Sequence, residues 1–262
     1  MGFYTVKSFN GLIVLNSEHA EWLAGPGMGI PRAKITATAH WVGGHFRPQP
    51  ISPTHAFPGI RPHGKVLLFV GRISEEKGVM QLPAIYAALS EFPEVRVVVA
   101  GDGPAREKLG AALPEALYLG WVDRAELPRL YSSADLLLLP SRFDTFGSVV
   151  LEAMSCGLPV VAYDTKGPRD IVRNGVNGFL AKSESEFSAL VARYLADKDL
   201  QASMRLSALE ASSRYHPDDI LKRLLEPWYL GTSAHQPTCA GTSFGRWNVF
   251  EALPWCQLLF DL

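Results

Sequence analysis

Residues 140–160, PSRFDTFGSVVLEAMSCGLPV, carry the reading from which the fold of the whole chain follows. Just upstream, Asp135 to Leu139 (DLLLL) is an apolar run of strand length, and Pro140-Ser141 closes it. Gly147 to Cys156 (GSVVLEAMSC) spaces its apolar residues as a helix does. Gly157 and Pro159 stop it where a C-cap and a breaker belong. Pro159 to Tyr163 (PVVAY) is a second short apolar run, so the unit is β–α–β and a parallel sheet is implied. Two carboxylates flank the turn, Asp144 and Glu152, with seven residues between them. The helix start, residues 145–148 (TFGS), offers unpaired backbone N–H groups and a positive dipole end, which suits an anion. The plainer alternative makes Asp144 a helix-terminal charge and Glu152 a solvated helix residue.

Working outward, the same alternation repeats on both sides. From Lys65, KVLLFVGR is a strand running into a loop, and an amphipathic helix is predicted near 78–91. VRVVVAG (95–101) and ALYLG (116–120) are strands, GDGPAREKL is a turn plus helix, and RAELPRLYSSA (124–134) is a helix. GPRDIVRNG and GFLA (178–181) give a helix or turn and a short strand; 183–214 holds one or two helices and 217–229 another. Strands alternating with helices at this spacing predict an α/β fold with a doubly wound parallel sheet over residues 65–230. Before it, GLIVLN (11–16) reads as a buried strand, Ser17 as an N-cap with Glu18 and Glu21 behind it, and 34–37 as a further strand. A Pro- and His-rich linker follows, over 51–64. Residues 231–262 break the pattern: turn-like at first, then rich in Trp, Phe and Leu. Packing on the domain, contact with a membrane surface, and lack of order stay open for this tail, although it lacks the basic face of an interfacial helix.

Bulk properties exclude several classes. A length of 262 residues allows one large domain or two small ones, and 47% hydrophobic with 19% charged residues fits an ordinary globular protein. A net charge of −1 without a long basic run argues against nucleic acid as a partner. Cys156, Cys239 and Cys256 are odd in number and far apart, which argues for a reducing compartment rather than a disulfide framework. Residues 1–10 lack the apolar core of a signal peptide, Val6 disfavours lipidation at Gly2, and no apolar run is long enough to span a membrane. His40 and His45 stand without the clustered partners a metal site needs. GxSxG and P-loop patterns are lacking, so hydrolase and kinase chemistry have no support.

DTFGSVVLEAMSCGLPV resembles the acid-x7-acid signature of retaining, nucleotide-sugar-dependent glycosyltransferases of family 4, which have the GT-B fold. The family more often has Glu first; here Asp144 stands in that place, one methylene shorter. Other segments match in order. Gly71-Arg72 with Lys77-Gly78 resembles the family's GR(x)4KG segment, whose Arg and Lys grip the diphosphate. An Arg fork and a Lys point charge suit phosphate oxygens. Gly101-Asp102-Gly103-Pro104 is similar to the family's GxGP turn; Arg106 rules out a dinucleotide glycine pattern. Leu119-Gly120-Trp121-Val122 matches the base-binding loop, with Trp121 either stacking on the base or sitting in the core. Ile30-Pro31 with Lys34-Ile35 is similar to the turn and strand that close the N-terminal domain. Gly167 and Asp170 resemble a GGxPE turn, with Lys166 and Arg169 as departures, and are read as structural.

The resemblance implies transfer of a sugar from a nucleotide diphosphate-sugar with retention of configuration, without cofactor or metal. Arg72 and Lys77 would stabilise the departing diphosphate, and Asp144 would hold the transferred sugar. Glu152 would bond the ribose hydroxyls, with Gly71, Trp121, Val122 and the backbone N–H groups of Phe146, Gly147 and Ser148 completing the donor contacts. Residues 1–50 would be a remnant of the acceptor domain. The acceptor is unspecified (lipid and glycan acceptors are common in the family), and a partner chain could supply the N-terminal domain. A cytoplasmic place, or the inner face of a membrane, is expected. Two alternatives stand beside this: a non-catalytic nucleotide-sugar-binding module, and a nucleotide-sugar 2-epimerase relative, which the acid and base pairs disfavour.

Overall fold

The computed structural model describes residues 11–26, 28–61, 63–143 and 147–229. Near its start, β1 (Leu12–Val14) and β2 (Ile35–Ala37) pair in parallel, with α1 (Ser17–Ala24) connecting them. Ala20, Met28, Ile30 and Ile35 form the small core beneath this pair. The one-turn α2 (Pro53–Ala56) lies in the stretch that follows.

Six strands make the main sheet: β3 (Lys65–Val70), β4 (Val95–Ala100), β5 (Leu117–Gly120), β6 (Leu136–Leu139), β7 (Val160–Tyr163) and β8 (Gly178–Ala181). Their order is β5-β4-β3-β6-β7-β8, and all neighbouring pairs are parallel. The crossovers carry α3 (Leu82–Ala87), α4 (Arg106–Ala112), α5 (Leu127–Ser133), α6 (Ser148–Ser155) and α7 (Pro168–Ile171). Three longer helices end the described residues: α8 (Glu184–Ala196), α9 (Lys198–Ser212) and α10 (Pro217–Tyr229).

Side chains alternate across a strand, and here both faces are covered. Val66, Leu68 and Val70 of β3 join Leu137 and Leu139 of β6 in one core, under Leu130 and Tyr131 of α5 and Val150 and Leu151 of α6. Leu67 and Phe69 join Leu136 and Leu138 in the other, under Leu82 and Ile85 of α3 and Phe187 and Val191 of α8. That is why β6 is an unbroken run of leucines. Each buried Leu contributes roughly 2 kcal/mol, against about 0–1 kcal/mol for an exposed ion pair. The apolar layers therefore decide the fold.

Local chemistry shifts several predicted boundaries. The helix expected over 78–91 is regular only over Leu82–Ala87, preceded by 3-10 turns at Glu75–Lys77 and Val79–Gln81. Pro83 has no N–H and fits only a first turn, so the α-helix begins at Leu82; Pro128 likewise delays α5 to Leu127. Asn16, not Ser17, caps α1, its side chain accepting from the His19 N–H. The 183–214 segment is two helices broken at Asp197, which is extended and caps α9 through the Leu200 N–H.

No helix among the described residues is long and apolar enough to cross a membrane. The chain divides into two compact units, residues 1–225 and 226–262, and both sheets belong to the first. The 231–262 tail lies outside the described residues.

Candidate functional site

Strand order reverses between β3 and β6, so loops leaving their carboxyl ends diverge and open a crevice there. The backbone closes that edge tightly. The Gly71 N–H donates to Ala100 O at 3.0 Å, and the Gly101 N–H to Gly120 O at 2.7 Å, stitching three strand ends together. Gly101 has φ +140°, and a Cβ there would lie 1.9 Å from the Gly71 carbonyl oxygen. Gly78, at φ +70°, would put a Cβ 2.0 Å from the carbonyl oxygen of Pro140. The loop carrying Arg72 and Lys77 is thus pressed onto the end of β6, where the Asp144 loop begins.

A cleft of about 310 Å³ opens at the carboxyl ends of β3, β4 and β5, lined by Val70, Gly71, Arg72, Asp102, Trp121 and Val122 among others. Arg72 is exposed and Lys77 half-buried. Trp121 is 76% exposed, so its ring lies on the cleft wall and not in the core. The Asp102 carboxylate is turned inward on its own loop, accepting from the Gly103 N–H at 2.7 Å.

Glu152 sits on the next helix, buried to 7% exposure. Arg124, from the loop that also carries Trp121 and Val122, donates to its Oε1 at 2.9 Å; the Tyr131 hydroxyl donates to its Oε2 at 3.2 Å. Burial raises the Glu152 carboxyl above the ordinary range, opposed by Arg124 and by the Tyr131 hydrogen bond. Burial also pushes the Tyr131 hydroxyl well above 10, with the neighbouring carboxylate adding to it. Helix α6 starts at Gly147, which has no side chain to cap it.

The profile of the glycosyl transferases group 1 family matches residues 52–210, more than half of the chain. The chain belongs to that family. It is 35% identical over 199 residues to a D-inositol 3-phosphate glycosyltransferase of Thermobispora bispora, covering 69% of this chain and 46% of that protein. It is 38% identical over 116 residues to a GDP-mannose-dependent alpha-mannosyltransferase of Corynebacterium glutamicum, covering 44% of this chain and 27% of the other. The chain therefore spans less than half the length of these curated relatives. Among solved structures, Anabaena HepE in complex with UDP superposes with a TM-score of 0.77 at 22% identity, over 87% of this chain and 66% of HepE. A Rickettsia africae glycosyltransferase gives the same TM-score of 0.77 at 14% identity, over 89% and 67%. These superpositions show the α/β arrangement of GT-B glycosyltransferases.

Of the residues picked out in sequence, this group 1 chain brings Gly71, Arg72, Trp121 and Val122 to one cleft wall. Lys77 follows on the same loop, Gly147 heads α6, and Ser148 is its exposed first residue. Asp144 and Phe146 lie outside the described residues. Asp170 is structural: its carboxylate accepts from the N–H and hydroxyl of Ser17 at 2.9 and 2.7 Å, tying α1 to the start of α7. His45 is exposed, its ring 4.3 Å from that of Phe46. Among the described residues no three His, Cys, Asp or Glu side chains gather as a metal site. Sequence reasoning missed Arg124 and Tyr131. An Arg two residues after Val122 was a visible signal, but its partner is 28 residues away and only the crossover of α5 brings them together.

Proposed function

We propose that this chain carries the donor-binding part of a glycosyltransferase using a nucleotide diphosphate-sugar, with retention of configuration and without a divalent metal. One observation carries it: a phosphate-suited Arg72 and an exposed Trp121 line one cleft at the carboxyl ends of a parallel sheet, and Arg124, on the same loop as Trp121, pairs the buried Glu152. Residues 65–230 form the donor domain in this reading, 1–50 belong to the acceptor side, and 51–64 join them.

In the reaction the sugar C1–O bond to the diphosphate breaks, and a new C1–O bond to the acceptor forms on the same face. The leaving phosphate oxygen takes the acceptor's proton. Arg72 and Lys77 offset the negative charge developing on the diphosphate, the largest contribution expected. Trp121 and Val122 hold the base, Glu152 the ribose hydroxyls, and the N–H groups at Phe146, Gly147 and Ser148 the phosphate or sugar oxygens. Asp144 orients the transferred sugar. The coverage of 27–46% of curated relatives favours a second reading, in which these residues bind donor but turnover needs an acceptor-side domain from elsewhere. A cytoplasmic location goes with both, and the acceptor, lipid or glycan, is open.

Titration calorimetry of the chain with UDP, GDP and ADP, alongside Glu152→Ala, tests the site. Binding of one nucleotide, weakened roughly tenfold or more by the substitution, is expected. A folded protein that binds none of the three would end the donor assignment. Full turnover by the isolated chain would end the second reading.

A further inference from the structure

Glu152 is buried, yet both of its oxygens are already bonded: Oε1 to Arg124 at 2.9 Å and Oε2 to Tyr131 at 3.2 Å. The two donors come from adjoining parts of the chain, the β5–α5 loop and α5 itself, and grip the carboxylate from separate ends. The Arg124 guanidinium is in turn placed over the Phe46 ring, 5.6 Å from its centroid. Its side chain is 68% exposed while that of Glu152 is 10% exposed, so Arg124 spans from solvent to a buried acid. The same short loop carries Trp121 and Val122, which line the cleft.

We propose that Arg124 is a positioning residue: it locks the plane of the Glu152 carboxylate against Tyr131 and leaves the second lone pair of each oxygen for a vicinal diol of the donor. This rests on the donor-site reading above. A carboxylate oxygen accepts two hydrogen bonds, so one protein donor on each still leaves a two-point acceptor, the pattern a cis-diol matches. Among the described residues, those facing the carboxyl are Arg124 from the loop, Tyr131 from α5 and, at the C-cap of α6, the Cys156 thiol, which burial pushes up to about 12 and keeps neutral. On its solvent side Arg124 is flanked by His45, Arg47 and Gln49. Arg124 is thus the cation that offsets the burial of Glu152. A diol ligand cannot replace it, because hydroxyls bring no positive charge.

The test is nucleotide affinity as a function of pH for wild type, Arg124→Gln, Arg124→Lys and Glu152→Gln, with the Glu152 side-chain carboxyl of the unliganded protein followed by carbon-13 NMR. In Arg124→Gln the carboxyl should titrate at higher pH than in wild type. Affinity should fall roughly tenfold on the acid side of that titration and recover to within about threefold on its alkaline side. Arg124→Lys should restore the pH profile with a weaker, pH-independent loss, since Lys keeps the charge but lacks the fork. In a Glu152→Gln background, Arg124→Gln should have no further pH-dependent effect. An Arg124→Gln variant whose carboxyl titrates as in wild type, or whose loss of affinity is the same at every pH, overturns the inference and leaves Arg124 a packing residue. Absence of nucleotide binding by wild type itself would instead overturn the donor reading, and this inference with it.

Discussion

The two sheets of this chain are built to different standards. The six-stranded sheet is covered on both faces, and each residue of β6 is buried. The β1–β2 pair has four core residues, and leaves Ile13 54% and Trp22 62% exposed. The large sheet is held by buried area. The small one has less of it and adds polar ties to the main domain, Asp170 on Ser17 and the 3.6 Å ion pair between Lys166 and Glu18. An element with little apolar burial opens locally at low cost, so the two regions should respond to different substitutions.

The largest effect should come from Gly101→Val. Its Cβ would meet the Gly71 carbonyl at 1.9 Å, at a φ that valine does not adopt, and the strand ends would part. A loss of roughly 3 kcal/mol or more in urea unfolding is expected, together with loss of nucleotide affinity. An unchanged midpoint would contradict the close approach. Next, Leu137→Ala, fully buried in β6, should cost about 3 kcal/mol in the global transition. Ile35→Ala, in the small core, should cost less there and show mainly as faster amide exchange at Leu12–Val14. Equal global costs would mean that the two sheets unfold as one.

Asp170→Ala should be smaller still, about 1 kcal/mol, and confined to α1. Hydrogen exchange should quicken in residues 17–24 and stay unchanged in β6; quickening in both would remove the distinction drawn here. The smallest effect is one of pH. Burial raises the Glu152 carboxyl in the folded state. A carboxyl raised on folding adds stability that is present below its unfolded value and lost as pH rises through the folded one. Wild type should therefore lose stability relative to Glu152→Gln as pH rises above the ordinary carboxylate range, and parallel curves would contradict that shift.

Much of this was legible in the chain before folding. DLLLL and KVLLFV read as strands from their length and the turn residues that close them, and their unbroken apolar character is what a sheet covered on both faces requires. Gly71, Arg72, Trp121 and Val122 were marked by their place after predicted strands, and the sheet order puts all four on one wall. Helix starts were less legible, because a single proline, Pro83 or Pro128, outweighed a longer apolar periodicity. The cap of α1 was missed by one residue because Asn16 and Ser17 both have capping chemistry, and Asp170, distant in sequence, claimed the serine.

The sequence by itself determined the parallel α/β sheet, the loops that bear its charged and glycine residues, and the family to which those motifs belong. It could do so because strand and helix periodicity and turn chemistry are local properties. Only the tertiary structure decided that Trp121 stands exposed, that Gly101 meets the Gly71 backbone, and that Glu152 is buried between Arg124 and Tyr131. Each of those depends on how a crossover helix lays one strand end against another. No residue encodes that separately, because it follows from the summed burial of two apolar layers.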